Sequence, residues 1–210
     1  MSYWEHRRPV RRARAVDVDE IARTAVELLD EGGLRALTVR GLAQRLGVAP
    51  ASLYSRVDSV EDLFDLALDD ALGRDAQLQD AAAHASLHPL MLTYYRHLVS
   101  HPWACQVIAI RAPRGPHYLR LSERMCALLV EAGSPDPLGE AYTLSNLVIG
   151  SAATAPMAGS EREAAVDGEL APLYAYLHSA HRVDTEAILD AGLRALLERR
   201  PANGAAGPAV

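Results

Sequence analysis

The sequence has no lysine, only two cysteines and a single phenylalanine among its 210 residues. Because Cys105 and Cys126 both lie in apolar, helix-like surroundings, a disulfide framework is not expected, and a reducing, cytoplasmic location is predicted. No run of eighteen apolar residues occurs, so no membrane contact or span is predicted. The first residues are rich in arginine but lack an apolar core, so they are not expected to form a secretory signal.

The usual motifs of catalysis are also missing. There is no G-x-S-x-G turn, no glycine-rich phosphate loop and no cysteine beside an obvious base. Three histidine pairs have a spacing that suits a metal ion on a helix, but none has a convincing third ligand nearby. We therefore predict no enzyme activity, no cofactor and no metal site. The pairs are His84/His88, His97/His101 and His178/His181.

The net charge of −6 conceals an uneven distribution. Residues 1–58 carry ten arginines and eight acids, a net of +2, whereas the remainder carries eleven arginines and nineteen acids, a net of −8. This difference predicts contact with a polyanion at the N-terminal end only. Residues 1–16, with five arginines around Pro9, are predicted to be a flexible basic arm. Such an arm can enter a DNA minor groove or, alternatively, serve only as a solubilising tail.

Residues 37–57, LTVRGLAQRLGVAPASLYSRV, have the layout of two short helices joined by a tight turn. Thr38 suits an N-cap, Gly47 suits the left-handed position after the first helix, and Pro50 suits the start of the second. The second helix, residues 50–56, is too short to be stable alone. This layout predicts a helix-turn-helix that enters the DNA major groove, although a plain helical hairpin has the same spacing. Outward hydrogen-bonding side chains favour the helix-turn-helix: Arg40, Ser52, Tyr54, Ser55 and Arg56.

Further matches extend over about fifty residues, from about Asp19 to Leu72. They comprise Ala25, Leu28, Gly32, the LTVR run at 37–40, Leu42-Ala43, Leu46-Gly47-Val48, Leu53-Tyr54 and Leu63. This pattern resembles the DNA-binding domain of the TetR family of transcriptional regulators. The downstream chain resembles that family's tetracycline-repressor-like branch more loosely, through HPW at 101–103, Arg111 with Pro113 and Pro116, and a small-residue helix around Gly150.

The resemblance, together with the outward positions, assigns DNA-binding roles to seven residues. Arg40 matches a position that reads guanine, and a bidentate arginine–guanine contact contributes roughly 1–3 kcal/mol of discrimination. Val60 stands where the family usually has a lysine, so one phosphate contact is lost there. The backbone amides at the Ser59 helix start remain available to a phosphate. Candidate base contacts are Arg40, Ala51 and Ser52, and candidate phosphate contacts are Thr38, Tyr54, Ser55 and Arg56.

Apolar periodicity and the positions of proline and glycine predict an all-α fold with no sheet. Capping-box spacing predicts one helix after Asp17, over residues 18–31, and another from Ser59, with Asp62, to about Leu78. The second would link a helix-turn-helix domain, residues 17–58, to a C-terminal regulatory and dimerisation bundle, residues 59–200. A loop is predicted at 156–168 and a disordered tail at 201–210. Further helices are predicted near 88–100, 102–111, 116–132, 137–155, 168–181 and 184–199.

The region from 88 to 155 combines many apolar residues with polar groups that a plain bundle core does not favour, as ligand sites do. Arg111 also matches an arginine that lines the drug pocket of the tetracycline-binding relatives. Two alternatives remain open, namely that Arg111 caps a helix and that Trp103 is a core residue. The predicted ligand-binding residues are Trp103, Val107, Arg111, Tyr118, Met125 and Asn146.

Small residues around Gly150 and the apolar stripe of residues 184–199 predict a two-fold dimer built as a four-helix interface, unless both helices pack only within the subunit. The sequence thus predicts a ligand-responsive regulator, most simply a repressor, that binds a palindromic operator in double-stranded DNA as a homodimer. A small-molecule effector of unspecified identity would release it. The alternatives are a DNA-binding regulator without effector, or a helical small-molecule-binding protein or enzyme with an incidental hairpin.

Overall fold

The computed structural model describes residues 2–6, 16–181 and 183–198. The arginine-rich residues 7–15 and the predicted tail at 201–210 lie outside this description. All regular structure in the described part is helical, as predicted. Within it, no helix is both long enough and apolar enough to cross a membrane.

Thirteen α-helices are found in the described ranges, and the short 3-10 turn Ala155–Met157 joins the tenth to the eleventh. They are α1 (Tyr3–His6), α2 (Val18–Gly32), α3 (Val39–Arg45), α4 (Pro50–Leu53), α5 (Val60–Arg74), α6 (Ala76–His84), α7 (Leu87–Ser100), α8 (Pro102–Ile110), α9 (Pro116–Glu131), α10 (Pro137–Thr154), α11 (Ala158–Glu163), α12 (Pro172–Ala180) and α13 (Thr185–Glu198).

The helix predicted from Ser59 to about Leu78 begins where expected, with Ser59 at the N-cap of α5, but its predicted side-chain cap and its C-terminal end are wrong. Ser59 makes no side-chain cap; instead the Asp58 N–H donates to Asp62 Oδ2 at 2.7 Å. The helix also stops at Arg74, because Asp75 takes an extended conformation and its carboxylate accepts from the Leu78 N–H at 3.0 Å. An aspartate at an N-cap begins a new helix, so α6 follows as a separate element.

Two other segments differ from their predicted state. The predicted loop at 156–168 contains α11. Residues 2–6 of the predicted flexible arm are folded as α1 against α5, with Tyr3 only 2% exposed. The driving force is aromatic burial, because the Tyr3 ring leaves water and stacks edge-on against Trp4, with ring centroids 5.2 Å apart.

Helix α5 is the central element of the chain. Every residue from Asp62 to Asp69 is buried, so the helix is enclosed on all sides. It packs on α2 of the N-terminal part and on α6, α8 and α9 of the C-terminal part. The hydrophobic core is continuous through it, from Ile21 and Leu42 beside α2 to Val107 and Leu129 beside the later helices. Movement of α5 would therefore displace the side chains packed against it in both halves of the molecule.

A buried histidine lies where α5 ends. His97, on α7, is 2% exposed, and its Nδ1 lies 2.9 Å from Asp75 Oδ2. Its Nε2 has no hydrogen-bond partner among the described residues. Burial lowers the pKa of His97, and the hydrogen bond to Asp75 offsets this only in part. The ring of His101 lies 5.1 Å away, with Asp30 beyond it.

We expect acidification from pH 7.5 to 5.5 to lower the free energy of unfolding, with His97 as a principal cause. Below its ordinary pKa of about 6.5, histidine takes up a proton in the unfolded chain before it does so in the native core, so the unfolded state gains the protons. Urea unfolding across this pH range measures the effect. The loss should be smaller in His97→Gln and unchanged in His84→Gln, whose imidazole is exposed. Equal losses in wild type and His97→Gln would contradict this assignment.

Candidate functional site

The helix-turn-helix is assembled by three local devices. Thr38 Oγ1 accepts from the Gly41 N–H at 3.0 Å and begins α3. Gly47 follows α3 with a φ of +65°, a conformation that glycine adopts without strain. Pro50 occupies the first position of α4, where its missing N–H is not needed. The buried side chains of Leu42 and Leu53 then hold the two helices on the core of α2 and α5.

Six of the seven predicted DNA contacts lie on the outside of this unit. Tyr54 is 52% exposed although it is aromatic, so its ring is available to a partner. The Ser55 hydroxyl donates to the Ser52 carbonyl at 2.7 Å, which places both residues on one turn of the chain. We call these six residues the recognition surface: Thr38, Arg40, Ala51, Ser52, Tyr54 and Ser55.

Arg56 does not belong to the recognition surface, and its predicted phosphate contact is corrected. It is 8% exposed, and its Nε donates to the Val16 carbonyl at 3.0 Å. Helix α4 ends at Leu53 rather than at residue 56, and the following turn directs the Arg56 side chain inward. Arg56 therefore fastens the end of the helix-turn-helix to the residues that precede α2.

The C-terminal bundle contains a cavity of about 350 Å³ between the end of α8, the turn at residues 111–115, α9 and α10. Four of the six predicted ligand contacts line it, namely Arg111, Tyr118, Met125 and Asn146. None of the described residues that line it is acidic. The other lining residues are Ile108, Ala112, Pro113, Arg114, Leu119, Ser122, Cys126, Leu138, Ala141, Tyr142, Ser145 and Ile149.

Trp103 and Val107 do not line the cavity, so their predicted role is corrected. Both are buried in the core, and the Trp103 Nε1–H donates to Asp30 Oδ1 of α2 at 2.6 Å. Ile108 and Arg111 are the residues of this segment that face the cavity. Helical spacing places Val107 on the neighbouring face of α8, which packs inward.

Arg111 connects the cavity to α5. Its Nε and Nη2 donate to Asp65 Oδ1 and Oδ2, each at 2.9 Å. Asp65 is 5% exposed and also accepts from the Ser2 hydroxyl and the Tyr3 N–H, both at 2.9 Å. Burial alone would raise the pKa of Asp65, but the hydrogen bonds from Arg111, Tyr3 and Ser2 outweigh it, so this pKa lies below its ordinary value. The carboxylate is ionised and fully engaged.

A second carboxylate of α5 holds the start of α9, which carries Tyr118 of the cavity wall. Asp69 Oδ1 accepts from the backbone N–H groups of His117 and Tyr118, at 2.8 and 3.1 Å, and so caps the start of α9. Burial raises the pKa of Asp69, and these hydrogen bonds only partly oppose it. Asp65 and Asp69 are one helical turn apart, so α5 holds the cavity wall at two adjacent points.

Sequence reasoning missed these carboxylates. The pair Asp69-Asp70 had the composition of a solvated helix face, yet Asp69 is 4% exposed. The available signal was the spacing of Asp62, Asp65 and Asp69, at i, i+3 and i+7, in a run (residues 62–69) that is otherwise apolar. Buried aspartates on one face of a helix require partners on the elements packed against it.

We expect Gly115→Ala to lower the free energy of unfolding by about 1–3 kcal/mol, as overpacking does. A Cβ at Gly115 would lie 2.2 Å from Asp69 Oδ1, and Asp69 cannot move away without losing its bonds to α9. Urea unfolding measures the loss. Gly159→Ala is the matched control, because a Cβ there meets no atom within 4 Å. Equal stabilities of Gly115→Ala and wild type would show that this contact is not tight in solution.

Apolar side chains are exposed on the last helices. None of the residues of α12 is buried; Leu173 and Tyr176 are each 69% exposed. On α13, Leu189 and Leu193 face the core, whereas Ile188 is exposed. An extended apolar surface of this kind is typical of a protein–protein interface.

Comparison with known proteins gives consistent matches. Residues 21–67 match the family described as bacterial regulatory proteins, tetR family. The chain is 36% identical over 158 residues to an HTH-type transcriptional regulator of Saccharopolyspora erythraea, covering 73% of this chain and 66% of that protein. It is 33% identical over 138 residues to the HTH-type transcriptional repressor DrrR1 of Streptomyces coeruleorubidus, covering 62% and 50% respectively. The matched part thus spans between half and two thirds of these relatives.

Solved structures share the fold over most of both chains. A possible TetR family transcriptional regulator from Streptomyces coelicolor A3(2) superposes with a TM-score of 0.72 and 26% identity, covering 87% of this chain and 97% of that one. The Streptomyces coelicolor TetR family protein ActR, in complex with actinorhodin, superposes with a TM-score of 0.67 and 22% identity, covering 87% and 95%.

Proposed function

Because the chain belongs to the TetR family of bacterial regulatory proteins, we propose that it is a ligand-responsive regulator of transcription that binds operator DNA in the cytoplasm. The observation that carries this proposal is the recognition surface. Ser52 is exposed on α4, a helix of only four residues, and Tyr54 and Ser55 are exposed in the turn that follows it, while the buried Leu53 holds α4 on the core. In this arrangement Arg40, Ala51 and Ser52 contact base edges, while Thr38, Tyr54 and Ser55 contact phosphates.

DNA binding by one recognition surface supplies few base contacts, so we propose a homodimer on a palindromic operator. The exposed apolar residues of α12 and α13 support a two-fold interface, with α10 as the second predicted contributor. DrrR1, a relative described as a repressor, supports repression as the mode of control.

The effector is proposed to be an amphipathic small molecule that occupies the cavity. The volume suits a small ligand, and the wall is apolar apart from a few polar groups. Arg111, Arg114 and Tyr118 provide hydrogen-bond donors, whereas the lining has no carboxylate, so acidic or carbonyl oxygens fit best. ActR, which has a similar fold, was solved in complex with actinorhodin, and this supports a small-molecule effector.

Arg111 is the proposed link between effector and operator. A ligand oxygen that draws the Arg111 guanidinium toward the cavity weakens its hydrogen bonds to Asp65. Because a buried carboxylate without its partner is unfavourable, α5, which carries Asp65, then shifts to a new position. Because α5 packs on α2, this shift moves the recognition surface. The distance between the two recognition surfaces of the dimer then changes. Coupling of this kind typically amounts to about 1–3 kcal/mol, or a 5- to 150-fold change in affinity.

Fluorescence anisotropy with DNA flanking the protein's own gene tests the proposal. We expect saturable binding that falls steeply as salt rises from 50 to 200 mM, because counterions are released from phosphates. We expect products of neighbouring genes to include a compound that lowers this affinity. If the protein binds DNA but no compound changes its affinity, it is a regulator without an effector. If it shows no salt-dependent DNA binding at all, the proposal is overturned.

A further inference from the structure

A cluster of three metal-ligating side chains forms where the N-terminal segment meets α5. His6 Nε2 lies 3.1 Å from Asp62 Oδ1, and His6 Nδ1 lies 3.4 Å from Asp58 Oδ2. One ligand atom from each of the three residues can be chosen so that all lie within 4.8 Å of one another. The histidine and the aspartates are more than fifty positions apart in the sequence, so only folding brings them together.

The cluster is held in place by contacts that do not depend on an ion. Burial of Tyr3, with the bonds from Ser2 and Tyr3 to Asp65, fixes the segment that carries His6. The Asp58 N–H donates to Asp62 Oδ2 at 2.7 Å and so orients the Asp62 carboxylate with Oδ1 toward His6. Hydrogen bonds of this kind to the second oxygen commonly position a ligating carboxylate.

We propose that His6, Asp58 and Asp62 form a binding site for one divalent transition-metal ion of the Zn²⁺, Co²⁺ or Mn²⁺ class. One imidazole nitrogen and two carboxylate oxygens are borderline and hard donors, which suit these ions better than Ca²⁺ or Mg²⁺. Coordination uses a single ring nitrogen, so the imidazole turns to face both carboxylates. The Asp58 side chain is 49% exposed, which leaves an open side for entry and for water ligands.

The site joins the N-terminal segment to the connection between α4 and α5. Asp58 lies between α4 and α5, and Asp62 lies in the first turn of α5, whereas His6 belongs to the separate N-terminal segment. A bound ion would fasten the N-terminal segment to the residues that follow α4. The concentration of metal ion would then regulate the protein separately from the effector. Such regulation is not part of the proposed function.

The alternative is that the two ring nitrogens of His6 simply pair with the two carboxylates and leave no role for a metal. Isothermal titration of the untagged full-length protein with ZnCl₂ and MnCl₂ at pH 7.5 separates the two accounts. We expect one ion per chain, a higher midpoint of thermal unfolding with the ion than without it, and at least tenfold weaker binding to MgCl₂. His6→Gln and Asp58→Asn should each weaken ion binding at least tenfold.

His84→Gln is the matched control, because His84 forms an exposed pair with Asp80 and belongs to no three-ligand cluster in the described part of the chain. It should bind the ion as wild type does. Near-ultraviolet circular dichroism without metal checks that the variants remain folded, and Asp58→Asn keeps the test valid if His6→Gln loosens the N-terminal segment. Absence of stoichiometric binding, or binding unchanged in both His6→Gln and Asp58→Asn, would overturn the proposal. Neither result depends on whether the protein binds DNA.

Discussion

Replacing Arg111 with alanine is expected to lower the free energy of unfolding by about 3 kcal/mol. The substitution leaves the Asp65 carboxylate, which is nearly inaccessible to water, without its bidentate partner. Breaking a buried ion pair typically costs 3–5 kcal/mol, and we expect the lower end because the Arg111 side chain keeps 17% of its surface exposed. Urea unfolding at pH 7 measures the loss.

Two variants test the cause of this loss. Arg194→Ala removes an arginine that is 63% exposed and pairs with Asp190 one turn away on α13, so it should cost less than about 0.5 kcal/mol. The double variant Asp65→Asn/Arg111→Met should be more stable than Arg111→Ala, because no buried charge is left without a partner. If Arg111→Ala cost no more than Arg194→Ala, the ion pair could not be the link between cavity and α5.

Arg40→Ala and Tyr54→Ala are expected to produce the largest losses in DNA binding. A bidentate contact from Arg40 to guanine contributes roughly 1–3 kcal/mol, so Arg40→Ala should weaken operator binding by about 5- to 150-fold. Its effect on unrelated DNA should be smaller, because base contacts carry the discrimination. Tyr54→Ala should weaken binding to both DNAs by similar factors, because a phosphate contact is independent of sequence. Anisotropy titrations with the two DNAs at one salt concentration measure these changes.

The control for both variants is again Arg194→Ala, which removes the same charge far along the chain from the helix-turn-helix. It should leave operator affinity within twofold of wild type. Circular dichroism should show native helix content in all three proteins, because Arg40 and Tyr54 are exposed. Operator affinities that are unchanged in Arg40→Ala and Tyr54→Ala would remove the recognition surface from the proposed mechanism.

The chain itself determined the features that depend on a few neighbouring residues. Thr38, Gly47 and Pro50 place the boundaries of α3 and α4 because capping, a left-handed turn and a helix start are set by local backbone chemistry. Apolar periodicity likewise predicted the ends of most C-terminal helices to within a few residues. The residues predicted to face outward from the helix-turn-helix are exposed, apart from Arg56. Whether the exposed residues contact DNA remains a prediction.

Only the tertiary structure decided where the buried polar groups lie. Among the described residues, Asp65 and Asp69 are stabilised by partners distant in sequence, namely Arg111 and the start of α9, more than forty positions away. Trp103 lies in the core, where its indole N–H donates to Asp30 on α2. The Arg56 side chain points inward and donates to the Val16 carbonyl. A buried polar group must be paired, and which partner it meets depends on how distant helices pack.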